Sequence, residues 1–210
     1  TVYLIDQPGA VQANLFAGQL VPSSTDEGAL ALDIANNVLG GDFSARLNMN
    51  LREDKHWSYG VRSSASGALG ARPWLVSAPV QIDKTAAAMA ELQREIVAFT
   101  SGQQPPTTEE VARVRASQTL SLPGAYETAS AVLATLRSNA LYGRADDYVF
   151  SRKAQIEALT PEQVAVAGRG LDPAALTWVV VGDLKQIEAP IRALGLGEVI
   201  VIDNQGKPVK

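Results

Sequence analysis

Cysteine is absent from this 210-residue chain, and histidine occurs once, as His56. Without cysteine the chain has no disulfides, no thiolate metal ligands and no cysteine nucleophile. With one histidine it cannot house a hydrolytic zinc site built on two. No apolar run reaches the roughly 18 residues that mark a membrane-spanning helix. Positive charge is also in deficit, with 18 Lys and Arg against 22 Asp and Glu and a net charge of −4. A nucleic-acid or anionic-membrane surface would carry a basic patch, so neither partner is expected. What remains, 46% hydrophobic and 19% charged residues, fits a globular chain with a sizeable core. The absence of cysteine leaves the compartment open. The chain opens at Thr1 straight into a strand-like run, without an initiator Met, and reads as a piece of a longer precursor.

Along the chain, residues 2–5 and 12–21 are two apolar runs separated by the turn Gln7-Pro8-Gly9. That pattern predicts a β-hairpin. Ser24 with Glu27 has the spacing of a capping box, and Leu30, Ile34 and Val38 predict a helix over residues 26–39. Gly40-Gly41 ends it in the manner of a C-terminal glycine. Ser44 can cap a second helix, with Leu47 and Leu51 on one face and Arg46, Asn50 and Glu53 away from it. Trp57, Tyr59 and Val61 alternate and predict a strand with all three on one side. Residues 73–82 read as another strand, with Pro73 and Pro79 pointing to an edge or bulge.

Met89, Leu92, Ile96 and Phe99 form the stripe of a helix over residues 83–100, and residues 102–106 are the clearest break. Thr107/Glu110 and Thr160/Gln163 are further capping boxes, the second with Pro161 at the first helical position. Between them, helices are expected to about Leu122, through an amphipathic segment containing Val132, Leu133 and Leu136, and over residues 144–158. Residues 176–181 and 198–202 are closing strands, and the tail at Gly206-Lys207-Pro208 is expected to fray. Trp74 and Trp178 read as sheet-core aromatics. Strands first, helices next and strands last predict an α+β fold, a mainly antiparallel sheet with helices packed on one face. The closing strands must rejoin the opening ones, so residues 1–210 read as a single domain.

The stretch over residues 39–64, LGGDFSARLNMNLREDKHWSYGVRSS, holds the chemistry. Arg52 falls near a helix end and Tyr59 seven residues later, on the following strand. From spacing alone, Arg52 reads as a cation on the helix dipole and Tyr59 as a half-buried strand aromatic. The sharper reading brings both to one cleft mouth, as two donors suited to a peptide carbonyl or a developing oxyanion. His56 reads as an exposed histidine at a helix end, and Glu53-Asp54-Lys55 as a solvated one. Asp26/Glu27 and Glu109/Glu110 read as helix-start acids that imply no metal.

This stretch resembles the signature of the second, non-zinc half-domain of pitrilysin/insulinase-type metallopeptidases, the family that includes mitochondrial processing peptidase. The matching residues are Leu39, Gly40, Gly41, Phe43, Ser44, Arg46, Leu47, Leu51, Arg52, Glu53 and Tyr59. The opening resembles the family's at Asp6, Pro8, Gly9 and Gln12, and VVVGDL over residues 179–184 resembles its closing hairpin. The resemblance implies a clamshell whose first half carries an inverted His-x-x-Glu-His zinc motif. No such motif exists here, so no metal is expected in this chain and zinc is expected in the partner half. It implies that Tyr59 donates to the scissile carbonyl and its oxyanion and that Arg52 anchors the substrate backbone; for Gly40 and Gly41, a substrate-binding loop is the sharper reading beside that of a helix end. The chain departs from the pattern at Asp42, where the family has a third glycine, and at His56, where it usually has glycine.

The implied function is that of a half-domain, inactive alone, that completes a zinc endopeptidase acting on peptides. The zinc-bearing half would be fused upstream or be a separate subunit. The alternatives are a structural core subunit of the same fold that does no proteolysis and an unrelated α+β binding module. Bacterial relatives are often exported, so the resemblance points to a periplasmic parent.

Overall fold

A computed structural model describes residues 1–209, with Ala125 described by its backbone alone. Its six strands are β1 (Val2–Asp6), β2 (Gln12–Val21), β3 (Arg62–Ala65), β4 (Arg72–Gln81), β5 (Thr177–Gly182) and β6 (Val199–Ile202). They form one sheet in the order β3-β4-β2-β5-β1-β6. Three of its five pairings are antiparallel (β2–β4, β2–β5 and β3–β4), and β1 runs parallel to both β5 and β6. The expected hairpin between β1 and β2 therefore does not form. β5 inserts between them, and Val180 lies opposite Leu4 on one side and Leu15 on the other. An uninterrupted apolar run such as Trp178-Val179-Val180-Val181 gains most where both its edges are paired and it lies deep in the sheet.

β4 alternates strictly, with Trp74, Val76, Ala78 and Val80 buried on one face. The helices pack on that face. They are α1 (Ala29–Asn36), α2 (Arg46–Asn48), α3 (Thr85–Thr100), α4 (Thr108–Leu120), α5 (Ala129–Tyr142), α6 (Tyr148–Ala158), α7 (Pro161–Gly168) and α8 (Leu184–Ala193). The core joins Leu4, Leu15 and Val180 of the sheet to Ile34 of α1, to the α3 stripe Met89, Leu92, Ile96 and Phe99, and to Ile187 and Ile191 of α8. Trp74 and Trp178 are both within it. The other face of the sheet leaves Leu20 and Leu75 exposed. α8 has no counterpart in the sequence reading. Asp183 caps it through the Lys185 amide at 3.2 Å.

Several local expectations give way to tertiary partners. The capping boxes at Thr107/Glu110 and Thr160/Gln163 form. That at Ser24/Glu27 does not: Ser24 Oγ instead accepts the Ala68 amide (3.0 Å), and α1 starts at Ala29. Ser44 caps nothing, since α2 begins after Ala45 with no side-chain cap. β4 is not an edge strand, yet its prolines keep to the rule. β3 pairs only with residues 74–77 of β4, so Pro73 and Pro79 lie just beyond its two ends. The amphipathic helix at α5 forms, but Val132, Leu133 and Leu136 face outward and its buried residue is Asn139. The tail is not frayed. The Val209 amide bonds the Val201 carbonyl at 2.9 Å and the Asp203 amide bonds Lys207 at 2.8 Å, folding the tail back on β6.

Candidate functional site

The signature stretch wraps the end of the sheet formed by β3 and β4. After α1 the chain takes a π-helical turn, Asn37–Gly41. Gly40 and Gly41 do not adopt the left-handed conformation of a helix-ending glycine; both keep ordinary φ values. Their requirement is close approach. A Cβ on Gly40 would lie 2.5 Å from Ser63 Oγ and 3.0 Å from Leu47 Cδ1. Ser63 cannot yield easily, because its hydroxyl donates to Asn36 Oδ1 (2.6 Å), which also accepts the Trp74 indole N–H at 2.7 Å. The buried Asn36 thus ties α1 to β3 and β4, and Gly40 lies flat against that knot.

α2 is short and continues as a second π-helical turn, Met49–Asp54. The wider turn rotates the side chains relative to an α-helix. Leu47 and Leu51 are buried as expected, but Arg46 and Asn50 do not face away. Arg46 pairs with Glu110, and Asn50 is buried, donating to Glu91 (3.0 Å) and Glu95 (2.8 Å) on α3. Burial works against ionisation of Glu91, but hydrogen bonds from Arg94 and Asn50 outweigh it and hold its carboxyl below the usual range.

Beyond the turn, residues 56–60 form a strap, not a strand; regular pairing begins at Arg62. Trp57 is half-buried, Val61 is buried and Tyr59 is 85% exposed, so the three do not share a face. Tertiary bonds define the strap. Asn48 Oδ1 accepts the Val61 amide at 2.9 Å, and Asn48 Nδ2 donates to the Phe43 carbonyl at 2.6 Å. Ser58 Oγ donates to the Pro79 carbonyl (2.5 Å) and accepts the Gly60 amide (3.1 Å). His56 enters the strap at φ +58°, the only non-glycine with positive φ among the described residues. The left-handed conformation is strained for a residue with a Cβ and is one that glycine adopts freely. His56 Nδ1–H donates to the Arg52 carbonyl at 3.0 Å.

Arg52 and Tyr59 line one cavity of about 240 Å³, with Asp42, Phe43, Asn48 and Gly60 also in its wall. The Arg52 guanidinium stacks over the Phe43 ring at 4.6 Å and its Nε meets Glu53 at 3.1 Å. The two donors therefore line one cavity, Arg52 from the second π-helical turn and Tyr59 from the strap. Gly40 and Gly41 are not in the wall; they set the path of the chain into Asp42 and Phe43. Asp42 is extended and caps no helix. Among the described residues no group of three or more His, Cys, Asp or Glu could hold a metal. The sequence marks Phe43 only as a match to the signature, and does not single out Asn48 or Ser58. The signal available for Asn48 was a polar residue beside Leu47 on the buried side of its helix.

The first 118 residues match the family model of the peptidase M16 inactive domain. The chain belongs to that family: it is a non-catalytic half-domain of the M16 peptidase fold. A search of curated proteins found no match. Among solved structures, the chain is similar to the peptidase M16 inactive domain from Pseudomonas fluorescens, at 21% identity and a TM-score of 0.79 over 87% of this chain and 43% of that one. It is also similar to the inactive peptidase domain of a proposed zinc protease from Bordetella parapertussis (18% identity, TM-score 0.70), covering 83% of this chain and 94% of that one. A chain of complex III2 from Candida albicans aligns at 11% identity and a TM-score of 0.69, over 91% of this chain and 48% of that one. This chain thus spans less than half the length of the Pseudomonas fluorescens chain. No described helix is long and apolar enough to cross a membrane.

Proposed function

We propose that this half-domain completes the active site of a zinc-bearing catalytic half and there supports hydrolysis of peptide bonds. Tyr59 supplies a phenolic donor to the scissile carbonyl and to the oxyanion that forms on it. Arg52 anchors the substrate backbone beside it, and Gly40 and Gly41 serve the substrate-binding loop by letting it pack tightly. Zinc and the water it activates belong to the other half. The observation that carries this reading is the convergence of Arg52 and Tyr59 on one cavity mouth, with Tyr59 85% exposed on a strap fixed by Asn48 and Ser58. Such exposure costs apolar contact area without an internal gain, and it suits a hydroxyl that acts across an interface.

The test is hydrolysis of a quenched fluorescent peptide by the zinc-bearing half with and without this chain. Stimulation is expected, with Tyr59→Phe reducing it by about 10²–10³, the usual effect of one lost oxyanion donor. A second reading, a structural core subunit without proteolysis, draws on the likeness in fold to a complex III2 chain. It prevails if the two halves form a complex and hydrolysis is not stimulated.

A further inference from the structure

A cavity larger than the one at Tyr59 lies elsewhere on the chain. A cleft of about 890 Å³ opens at the other end of β3 and β4, between the start of α1 and the α5–α6 pair. Its floor is an internal ion pair. Arg72, with 3% of its side chain exposed, meets Asp33 at 2.9 Å and also donates to the Pro22 carbonyl (2.9 Å). That pair is neutral as a unit and leaves no charge to recruit a ligand.

The wall formed by α5 and α6 differs. Arg144 and Arg152 both line the cleft and are half-buried; among the described residues neither forms a salt bridge, and the carboxylate whose charge they feel, Asp33, is already paired with Arg72. Arg144 is also pre-set. Its guanidinium lies between the rings of Tyr142 (4.6 Å) and Tyr148 (4.3 Å), and its backbone amide bonds the Asn139 carbonyl at 2.8 Å. Stacking holds the guanidinium plane, Nη1 donates to Ser138 Oγ at 3.4 Å, and the remaining in-plane donors, Nε and Nη2, can bind a carboxylate or phosphate by two parallel bonds. The half-buried Arg46, by contrast, already has its acid, Glu110. Asp26 and Glu27 stand on the opposite lip of the cleft. They would repel a doubly charged phosphate more than a single carboxylate, and they favour an occupant with a neutral or basic body.

We infer that this cleft is a second binding site, one that takes the C-terminal carboxylate of a peptide on Arg144 and Arg152. The choice of a peptide as the occupant rests on the proposed function; the choice of a carboxylate rests on the cleft. Tyr142 and Tyr148 keep Arg144 in place, and the acidic lip receives the basic or neutral residues that precede the chain end.

The experiment is fluorescence anisotropy on the full chain with three labelled heptapeptides. One has a free C-terminal carboxylate, one is its C-terminal amide, and one is the amide with an internal glutamate. The free acid is expected to bind at least ten-fold tighter than either amide. Arg144→Gln and Arg152→Gln should each bring the acid down to the level of the amide. Equal binding of acid and amide by the unaltered chain overturns the inference, as does no binding of the acid at millimolar concentration. Binding of the internal glutamate as tightly as the free acid overturns its assignment to a chain end. The acid-to-amide ratio reads the cleft on this chain alone, whereas stimulated hydrolysis reads Arg52 and Tyr59, so either result can fail without the other.

Discussion

Glu110→Gln removes one negative charge but leaves a side chain able to close the capping box of α4. In the native chain Glu110 accepts two bonds from Arg46, at 2.7 and 2.6 Å, and the Arg46 guanidinium also reaches the carbonyls of Gln104 (2.6 Å) and Pro105 (2.8 Å). The pair thereby fastens α2, and the turn that carries Arg52, to the loop before α4. Exposed ion pairs contribute about 0–1 kcal/mol. Stripping one partner from a fully buried pair costs about 3–5 kcal/mol. With side chains 15% and 17% exposed, this pair stands between the two cases. Glu110→Gln should therefore cost about 2–3 kcal/mol, or some 4–12 °C in Tm for a chain of this size. Arg46→Met keeps the stem over Phe99 and removes the charge. A urea double-mutant cycle on the two substitutions should give a coupling of about 1.5–2.5 kcal/mol at pH 7. A coupling below about 0.5 kcal/mol would refute the argument.

The same pair sets a pH dependence. Burial works against ionisation of Glu110, but the Arg46 bonds and the Thr107 amide outweigh it, and its folded pKa lies below the ordinary value. A depressed acid contributes stability above its unfolded pKa, about 4.3, that is lost as pH falls through the folded value. The coupling should then be level from pH 6 to 8 and disappear in strong acid, as urea titrations across that range would show. Gly40→Ala drives a methyl to 2.5 Å from a hydroxyl already held by Asn36, and should cost about 2–3 kcal/mol. The cost should shrink when Ser63→Ala removes that hydroxyl, a comparison made by thermal unfolding. His56→Gly should leave stability within about 0.5 kcal/mol and His56→Val should lower it by about 1–2 kcal/mol, because only the valine suffers fully at φ +58°. Tyr59→Phe should change stability by less than about 0.5 kcal/mol, since an exposed hydroxyl makes no internal bond to lose. Its effect, read by unfolding and by hydrolysis in parallel, should appear in activity alone.

The sequence by itself determined the elements whose signals are local. The α3 stripe needs only the 3.6-residue period and β4 only alternation, and two of the three capping boxes formed where their spacing put them. It also carried the family signature, and with it Arg52 and Tyr59 as the residues to watch. It pointed to an edge or a bulge at Pro73 and Pro79, whereas β4 is interior and both prolines pair with β2, outside the stretch that β3 pairs. Tertiary structure decided the rest, because partners distant in sequence decide it. β5 lies more than 150 residues from β2 in the chain and still separates it from β1, since a run apolar on every residue is best paired on both edges. Ser24 chose the Ala68 amide over a cap, and Arg144 and Arg152 of the α5–α6 wall meet their cleft only after folding. The exposure of Tyr59 belongs to the same class. Alternation placed it with Trp57 and Val61, but Ser58 bonded to Pro79 and Asn48 bonded to Val61 bend the strap so that Val61 turns in and Tyr59 turns out. A two-residue period reports which side of a strand a residue takes only where the strand is continuously paired, and here the pairing begins at Arg62.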